Sequence, residues 1–247
     1  MKIIGVYNIK GGVGKTATAV NLAYLGAAEG SRTLVWDLDP QGAASFYFRI
    51  KPKVKGGGKA LVKGRTELEA VVKGTDFHNL DLLPADFSYR HMDLVLGGAP
   101  KPTKQLLRLL RPLAQQYDLV FLDCPPSISL VSESMFRAVD LLLVPLIPTP
   151  LSVRTLEQLR TFLEADKRLY HLRLRPFLSM VDRRKRLHLE LAETLPRRFP
   201  ELLGGSIPYA SEVERMGLHR APLGDFASGS RADRAYRALW QEARTHL

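Results

Sequence analysis

Three groups of residues in this sequence have the types and spacing to handle a chain of phosphates. The first is Lys10-Gly11-Gly12-Val13-Gly14-Lys15-Thr16. Glycines let backbone N–H groups approach an anion with no Cβ in the way, and a helix that starts directly afterwards adds the partial positive charge of its N-terminus. Lys15 then has the reach for β- and γ-phosphates, and the Thr16 hydroxyl is placed to ligate Mg²⁺. The ordinary phosphate-loop pattern needs a glycine five residues before Gly14; this chain has Ile9 there, and a second lysine, Lys10, opens the loop instead. The second group is Asp37 and Asp39, one residue apart and followed by Pro40-Gln41-Gly42. The third is Asp123, which ends the apolar run Leu119–Leu122 and is followed by Cys124-Pro125-Pro126-Ser127.

These groups need strands that end where they begin. Ile3-Ile4-Gly5-Val6-Tyr7 reads as a buried strand leading into the glycine loop, and Thr16 to Ala28 as a helix leading out of it. Thr33–Asp37 and Tyr117–Asp123 read as further buried strands, each delivering a carboxylate at its carboxyl end, where open α/β sheets bind ligands. Leu80–Pro84, Leu141–Val144, Leu174–Val181 and Ser206–Tyr209 add strands. Helices are expected at Thr66–Lys73, Pro102–Gln116, Ser152–Leu169, Leu187–Phe199 (interrupted near Pro196) and Ser230–His246. The alternation predicts a doubly wound, mostly parallel sheet with helices on both faces, a three-layer α/β/α fold, over a single domain spanning 1–247. Residues 51–64 hold five lysines, no acid, Pro52 and three consecutive glycines, and read as an exposed, irregular, mobile loop.

The 247 residues are 45% hydrophobic and 25% charged, which suits a soluble globular chain. A lone cysteine, Cys124, excludes an internal disulfide and fits a reducing compartment. No apolar stretch is long enough to span a bilayer, and Met1-Lys2 leads straight into the first strand with no signal peptide. The net charge is +11, spread over both halves of the chain, and it favours polyanions or an acidic membrane surface as well as solubility. Arg183-Arg184-Lys185-Arg186 is its densest point after residue 150; it reads as a solvated basic turn or as a DNA-backbone contact, which needs charge but no base-reading geometry.

The loop opened by Lys10 resembles the deviant Walker A of the ParA/MinD ATPases. The stretch DLDPQG at Asp37–Gly42 resembles that family's Walker A′, and the strand ending at Asp123 with DCPPS resembles its Walker B region. The resemblance covers nearly the whole chain and is looser after residue 150, where the MVDRR and IPYASEV stretches only approximate the family patterns. The chain begins at the nucleotide loop and is similar to the short, Soj-like members without an N-terminal helix-turn-helix domain. The resemblance implies slow, Mg²⁺-dependent ATP hydrolysis. In it, Lys10–Ala17 and Pro208 contact nucleotide; Thr16, Asp37 and Asp123 serve the metal; Asp39 orients the attacking water; and Lys10 reaches the ATP of the other subunit in a sandwich dimer. It further implies a cytoplasmic, nucleoid-associated protein that binds DNA non-specifically through Arg183–Arg186 and positions a plasmid, chromosomal or other cargo with a ParB-like adaptor.

Two departures are visible. Ala17 stands where the family usually has a second threonine, so one hydroxyl contact to nucleotide is lost. Tyr209 and Glu212 stand where it often has arginines, so no DNA contact transfers to them. The competing reading is a MinD-like regulator held on a membrane by a basic amphipathic C-terminal helix. Ala235, Tyr236, Leu239, Trp240 and Ala243 do form an apolar face, but Asp233 and Glu242 are mixed among the arginines, which favours a helix docked on the sheet and no membrane contact.

Overall fold

The computed structural model describes residues 1–247. Eight strands form one sheet: β1 (Lys2–Val6), β2 (Thr33–Asp37), β3 (Lys73–Gly74), β4 (Leu80–Leu83), β5 (Leu119–Asp123), β6 (Leu141–Leu146), β7 (Arg173–Val181) and β8 (Ser206–Pro208). Their order is β3-β4-β2-β5-β1-β6-β7-β8. All neighbours are parallel except β3, which runs antiparallel to β4 at the edge.

The central strands are apolar on both faces because both faces are covered. Along β5, Val120 and Leu122 join one core while Leu119 and Phe121 join the other, the period-2 alternation of a strand between two layers. One layer is dominated by the helices Lys15–Ala28 and Arg231–Ala243. The other takes Leu130–Ala138, Pro150–Ala165 and the short helices Gly57–Val62, Met92–Gly97 and Gln105–Leu110. The Lys15–Ala28 helix carries small and apolar residues almost all round, as a helix buried between sheet and neighbour must. On the last helix, Tyr236, Leu239, Trp240 and Ala243 are buried, and Trp240 Nε1 donates to Glu29. The apolar face of that helix is therefore occupied by the chain's own core.

Four expectations require correction. Residues 51–64 are not an irregular loop, because Gly57–Val62 is helical. Gly56, at its N-cap, and Gly57, its first residue, hold positive φ, so the glycines shape its start, and Leu61 and Val62 anchor it in the core. Thr66–Lys73 is not a helix; it forms a single 3₁₀ turn at Glu69–Val71 and then β3, whose backbone pairs with Leu82 and Asp81. Pro102–Gln116 breaks into an α-helix at Gln105–Leu110 flanked by 3₁₀ turns, the second containing Pro112, which has no N–H to donate. The Arg186–Arg198 helix passes through Pro196 without interruption, since buried Leu195 and Phe199 hold its last turn against the core. Helices at Met92–Gly97, Leu130–Ala138 and Ser211–His219 were not anticipated.

Candidate functional site

The glycine loop leaves β1 and turns into the Lys15–Ala28 helix at Gly14, whose φ of 91° lies in the left-handed region. Gly14 provides no side-chain cap, so the first N–H groups of the helix are free to face an anion. A Cβ at Gly14 would press on Ser179 Oγ at 3.1 Å, while Gly11 and Gly12 face open space. The loop is tied down at both ends. Asn8 accepts from the Lys10 N–H at 2.9 Å and donates to the Pro145 carbonyl, and Ser179 Oγ donates to the Val13 carbonyl at 2.9 Å. The loop is thus held by contacts within the chain itself.

A cleft of roughly 360 Å³ opens beside this loop. It is lined by Gly11, Gly12, Gly14, Lys15, Thr16, Ala17, Asp39 and Pro208 from the expected set. Val13 is buried beneath the loop rather than lining the cleft, and Lys10 lies at its outer side with Nζ 3.4 Å from Ser152 Oγ. Lys15 Nζ folds back on the Lys10 carbonyl at 2.9 Å. Burial lowers the pKa of Lys15, while the carboxylates of Asp123 and Asp39 act to raise it.

The other two carboxylates, Asp37 and Asp123, do not line the cleft but lie buried behind it, near Thr16, Lys15 and Asp39. Parallel register sets Asp37 at the end of β2 directly beside Asp123 at the end of β5, and Asp123 also pairs in register with Val6 of β1. Both are fully buried. One oxygen of Asp37 accepts from the N–H and hydroxyl of Ser45, each at 2.8 Å, and its other oxygen has no partner. Neither oxygen of Asp123 has a partner. Burial pushes Asp37 up to about 6, with the two Ser45 bonds working against the rise. Asp123 is pushed well above the carboxylate range, first by burial and then by the negative charge of Asp37; the nearby Thr16 hydroxyl counters part of this without closing a hydrogen bond. Asp39 is more open, and its Oδ1 accepts from the Gln41 N–H at 2.9 Å.

Unpaired buried oxygens next to a lysine and a hydroxyl define what fits. The donor set is oxygen only, two carboxylates and one alcohol, which suits a hard divalent cation of the Mg²⁺ type. The orphaned oxygens of Asp123 are the observation that a cation would answer, because a buried carboxylate without partners is costly.

Other residues of this site were invisible in the sequence reading. Ser45 fixes Asp37, Ser179 supports the loop, and Tyr47, Met180, Tyr209 and Tyr236 complete the walls. They come from four separate parts of the chain, and no local pattern connects them to the glycine loop. Met180 holds a φ of 55° beside the cleft, a conformation that costs a non-glycine residue energy and that its sequence neighbours do not announce.

Arg183–Arg186 follows β7, three residues beyond cleft-lining Met180, in a turn leading into the Arg186–Arg198 helix; none of the four lines the cleft. Arg184 is paired with Asp182 at 2.9 Å and Arg186 with Glu190 at 2.7 Å. Two bonds from the Arg184 guanidinium and one from the Arg184 backbone N–H hold Asp182 well below the usual carboxylate range. Half of this basic run is therefore balanced by its own acids.

Comparison with known proteins agrees with this geometry. A family model described as an AAA domain matches residues 1–175. The chain is 29% identical over 246 residues to the sporulation initiation inhibitor protein Soj of Bacillus subtilis, covering 98% of this chain and 97% of that protein. It is 31% identical over 214 residues to the chromosome partitioning protein ParA of Caulobacter vibrioides, covering 81% and 77%. Among solved structures, cobyrinic acid a,c-diamide synthase from Mycobacterium smegmatis with a bound ATP analogue and magnesium superposes with a TM-score of 0.84 at 25% identity, over 100% of this chain and 95% of that one.

Proposed function

This chain belongs to the ParA/Soj family of P-loop ATPases, and from that premise we propose that it is a Mg²⁺-dependent, slowly hydrolysing ATPase that dimerises on ATP and then binds DNA without sequence preference. The observation that carries the reading is the pair of buried carboxylates, with three oxygens left without partners, next to the glycine loop. In this assignment the loop amides and Lys15 bind the phosphates, Ala17 adds only its backbone, and Pro208 borders the base end of the cleft. Thr16, Asp37 and Asp123 hold Mg²⁺. Held there, Mg²⁺ would supply the positive charge that offsets charge developing on the phosphates.

Phosphoryl transfer asks the protein mainly for position and charge. Asp39, open to the cleft, orients the attacking water. Lys10 lies outside its own cleft and is held only by a long contact to Ser152, so its ammonium is available to a second copy of the chain. In a sandwich dimer it neutralises charge on the partner's ATP, which makes hydrolysis conditional on dimerisation. The protein is then a cytoplasmic, nucleoid-associated positioning factor, with Arg183–Arg186 among its DNA contacts, a ParB-like adaptor as its stimulating partner and one domain over residues 1–247. A membrane-held regulator is the weaker reading, because the apolar face of the last helix is packed in the core.

The test separates binding from turnover. Lys10→Ala should bind ATP as the wild type does and lose hydrolysis, whereas Lys15→Ala should lose both. Wild-type hydrolysis by Lys10→Ala would remove the trans-lysine role.

A further inference from the structure

The largest run of uncompensated positive charge lies far from Arg183–Arg186. Residues 51–65 carry Lys51, Lys53, Lys55, Lys59, Lys63 and Arg65 and no acid; residues 101–111 carry Lys101, Lys104, Arg108 and Arg111 and no acid. All ten side chains are exposed. None is in an ion pair, although the chain forms ten such pairs elsewhere, two of them at Arg184 and Arg186. The two segments meet. Leu61, Val62 and Gly64 of the first segment and Arg108 and Leu109 of the second line the same cavity, where Glu67 and Glu69 are the acids that border the face, and the Gly57–Val62 helix packs against the Gln105–Leu110 helix.

This face is built rather than loose. The Val54 N–H donates to Asp86 Oδ2 at 2.8 Å, and the Gly58 N–H donates to Ser88 Oγ at 2.9 Å. Leu61 and Val62 are buried. Asp86, the one carboxylate drawn to Lys53, is already engaged by the Ser88 and Val54 N–H groups. Cations on an ordered support lose less entropy on binding than cations on a mobile loop. The apolar residues of the region are spent inside, and Leu107 is the exposed large one among these segments. A protein partner wants a central apolar or aromatic anchor and disfavours lysine; a phosphate backbone takes lysine readily.

We propose that the face formed by residues 51–65 and 101–111 is a phosphate-backbone surface for duplex DNA, and that it contributes more to DNA affinity than the self-paired run at Arg183–Arg186. The surface rests on the ATP-dependent DNA binding proposed above and says where that binding is carried. In sheet order it lies on the β4 and β2 side, whereas Arg183–Arg186 follows β7 on the other side of β1.

The experiment measures binding of a random-sequence 40-base-pair duplex by the full chain with ATP and Mg²⁺, across a salt series. Three proteins are compared: wild type, a variant with Lys55→Gln, Lys59→Gln, Lys63→Gln and Arg108→Gln, and a variant with Arg183→Gln and Lys185→Gln. Dimer mass and ATP turnover without DNA are recorded for each, and both should match wild type. The four-site variant should bind at least about tenfold more weakly, and its log–log salt slope should flatten by about one unit per lost phosphate contact. Replacing the three lysines by arginine should restore binding. The two-site variant should lose less. A four-site variant that binds as wild type does, with binding lost in the two-site variant, overturns this surface and leaves the ATP-gated reading standing. A wild-type dimer that binds no duplex overturns both. Loss of poly-glutamate binding with duplex binding intact would also overturn the DNA surface and assign the face to an acidic protein.

Discussion

The carboxylate pair behind the cleft and the basic face both hold charge without counter-charge, and they differ only in water. Burial raises the pKa values of Asp37 and Asp123, and their oxygens without partners cost free energy when no cation is bound. The lysines of 51–65 are exposed, so their missing partners cost almost nothing. The lesson is that an unpaired buried carboxylate states a requirement for a cation, whereas unpaired exposed cations become informative only when set against a cluster that has found partners. Arg184 with Asp182, and Arg186 with Glu190, supply that contrast.

The sharpest way to break the comparison is at the lysine that serves the cleft. Lys15→Ala should weaken nucleotide binding by at least about 100-fold, the loss of one buried charge-assisted contact. No lysine of the 51–65 segment should affect nucleotide affinity when replaced singly, and calorimetric titration checks both.

Next in size is Ser45, which is all that satisfies Asp37. Ser45→Ala removes its hydroxyl bond to Asp37 and its acceptor for the Ala85 N–H at 2.9 Å. It should cost about 1–3 kcal/mol in urea unfolding of the empty protein. A loss below experimental error would mean that Asp37 is better solvated than its burial indicates.

Proton linkage tests the same pair. The folded pKa of Asp37 is raised from 3.8 to about 6, so the folded state binds its proton more tightly than the unfolded chain does. Its contribution is therefore most favourable at low pH and is lost as pH rises from about 4 through about 6. Asp123 acts in the same direction. The empty protein should lose stability over that window relative to Asp37→Asn, and Mg²⁺ with ATP should offset the loss by occupying the site. Melting curves at matched ionic strength read this out.

The smallest effect belongs to the paired cluster. Asp182→Ala should release Arg184 and raise duplex affinity by about two- to fivefold at low salt, an advantage that fades as salt rises. No change would show that the Arg184 pair opens freely on binding DNA.

Legibility in the sequence followed locality. The glycine loop, β1, β2 and β5 were readable because each is a continuous apolar run with its functional residue at the end, and parallel register then brings Asp37 and Asp123 together. The region between β2 and β5 was misread because its elements are short and held from elsewhere. The Gly57–Val62 helix depends on Asp86 and Ser88, and the short strand β3 depends on β4. Glycines that suggested a loop were the N-cap and first turn of a helix, and the better guide was Val54, Leu61 and Val62, whose apolar side chains had to be buried somewhere. Ser45 and Ser179 carried no signal, because a serine that supports a loop or carboxylate from another element looks like any other serine.

The central claim is that ATP and Mg²⁺ in this cleft join two copies of the chain. Light scattering of Asp39→Ala tests it most directly, since loss of the water-orienting carboxylate should leave the complex bound but unhydrolysed. With ATP and Mg²⁺ the mass should be twice the 27.6 kDa of one chain and persist for many turnover times, and without nucleotide it should return to a single chain. A mass of one chain under both conditions, with ATP binding intact by calorimetry, would contradict the account.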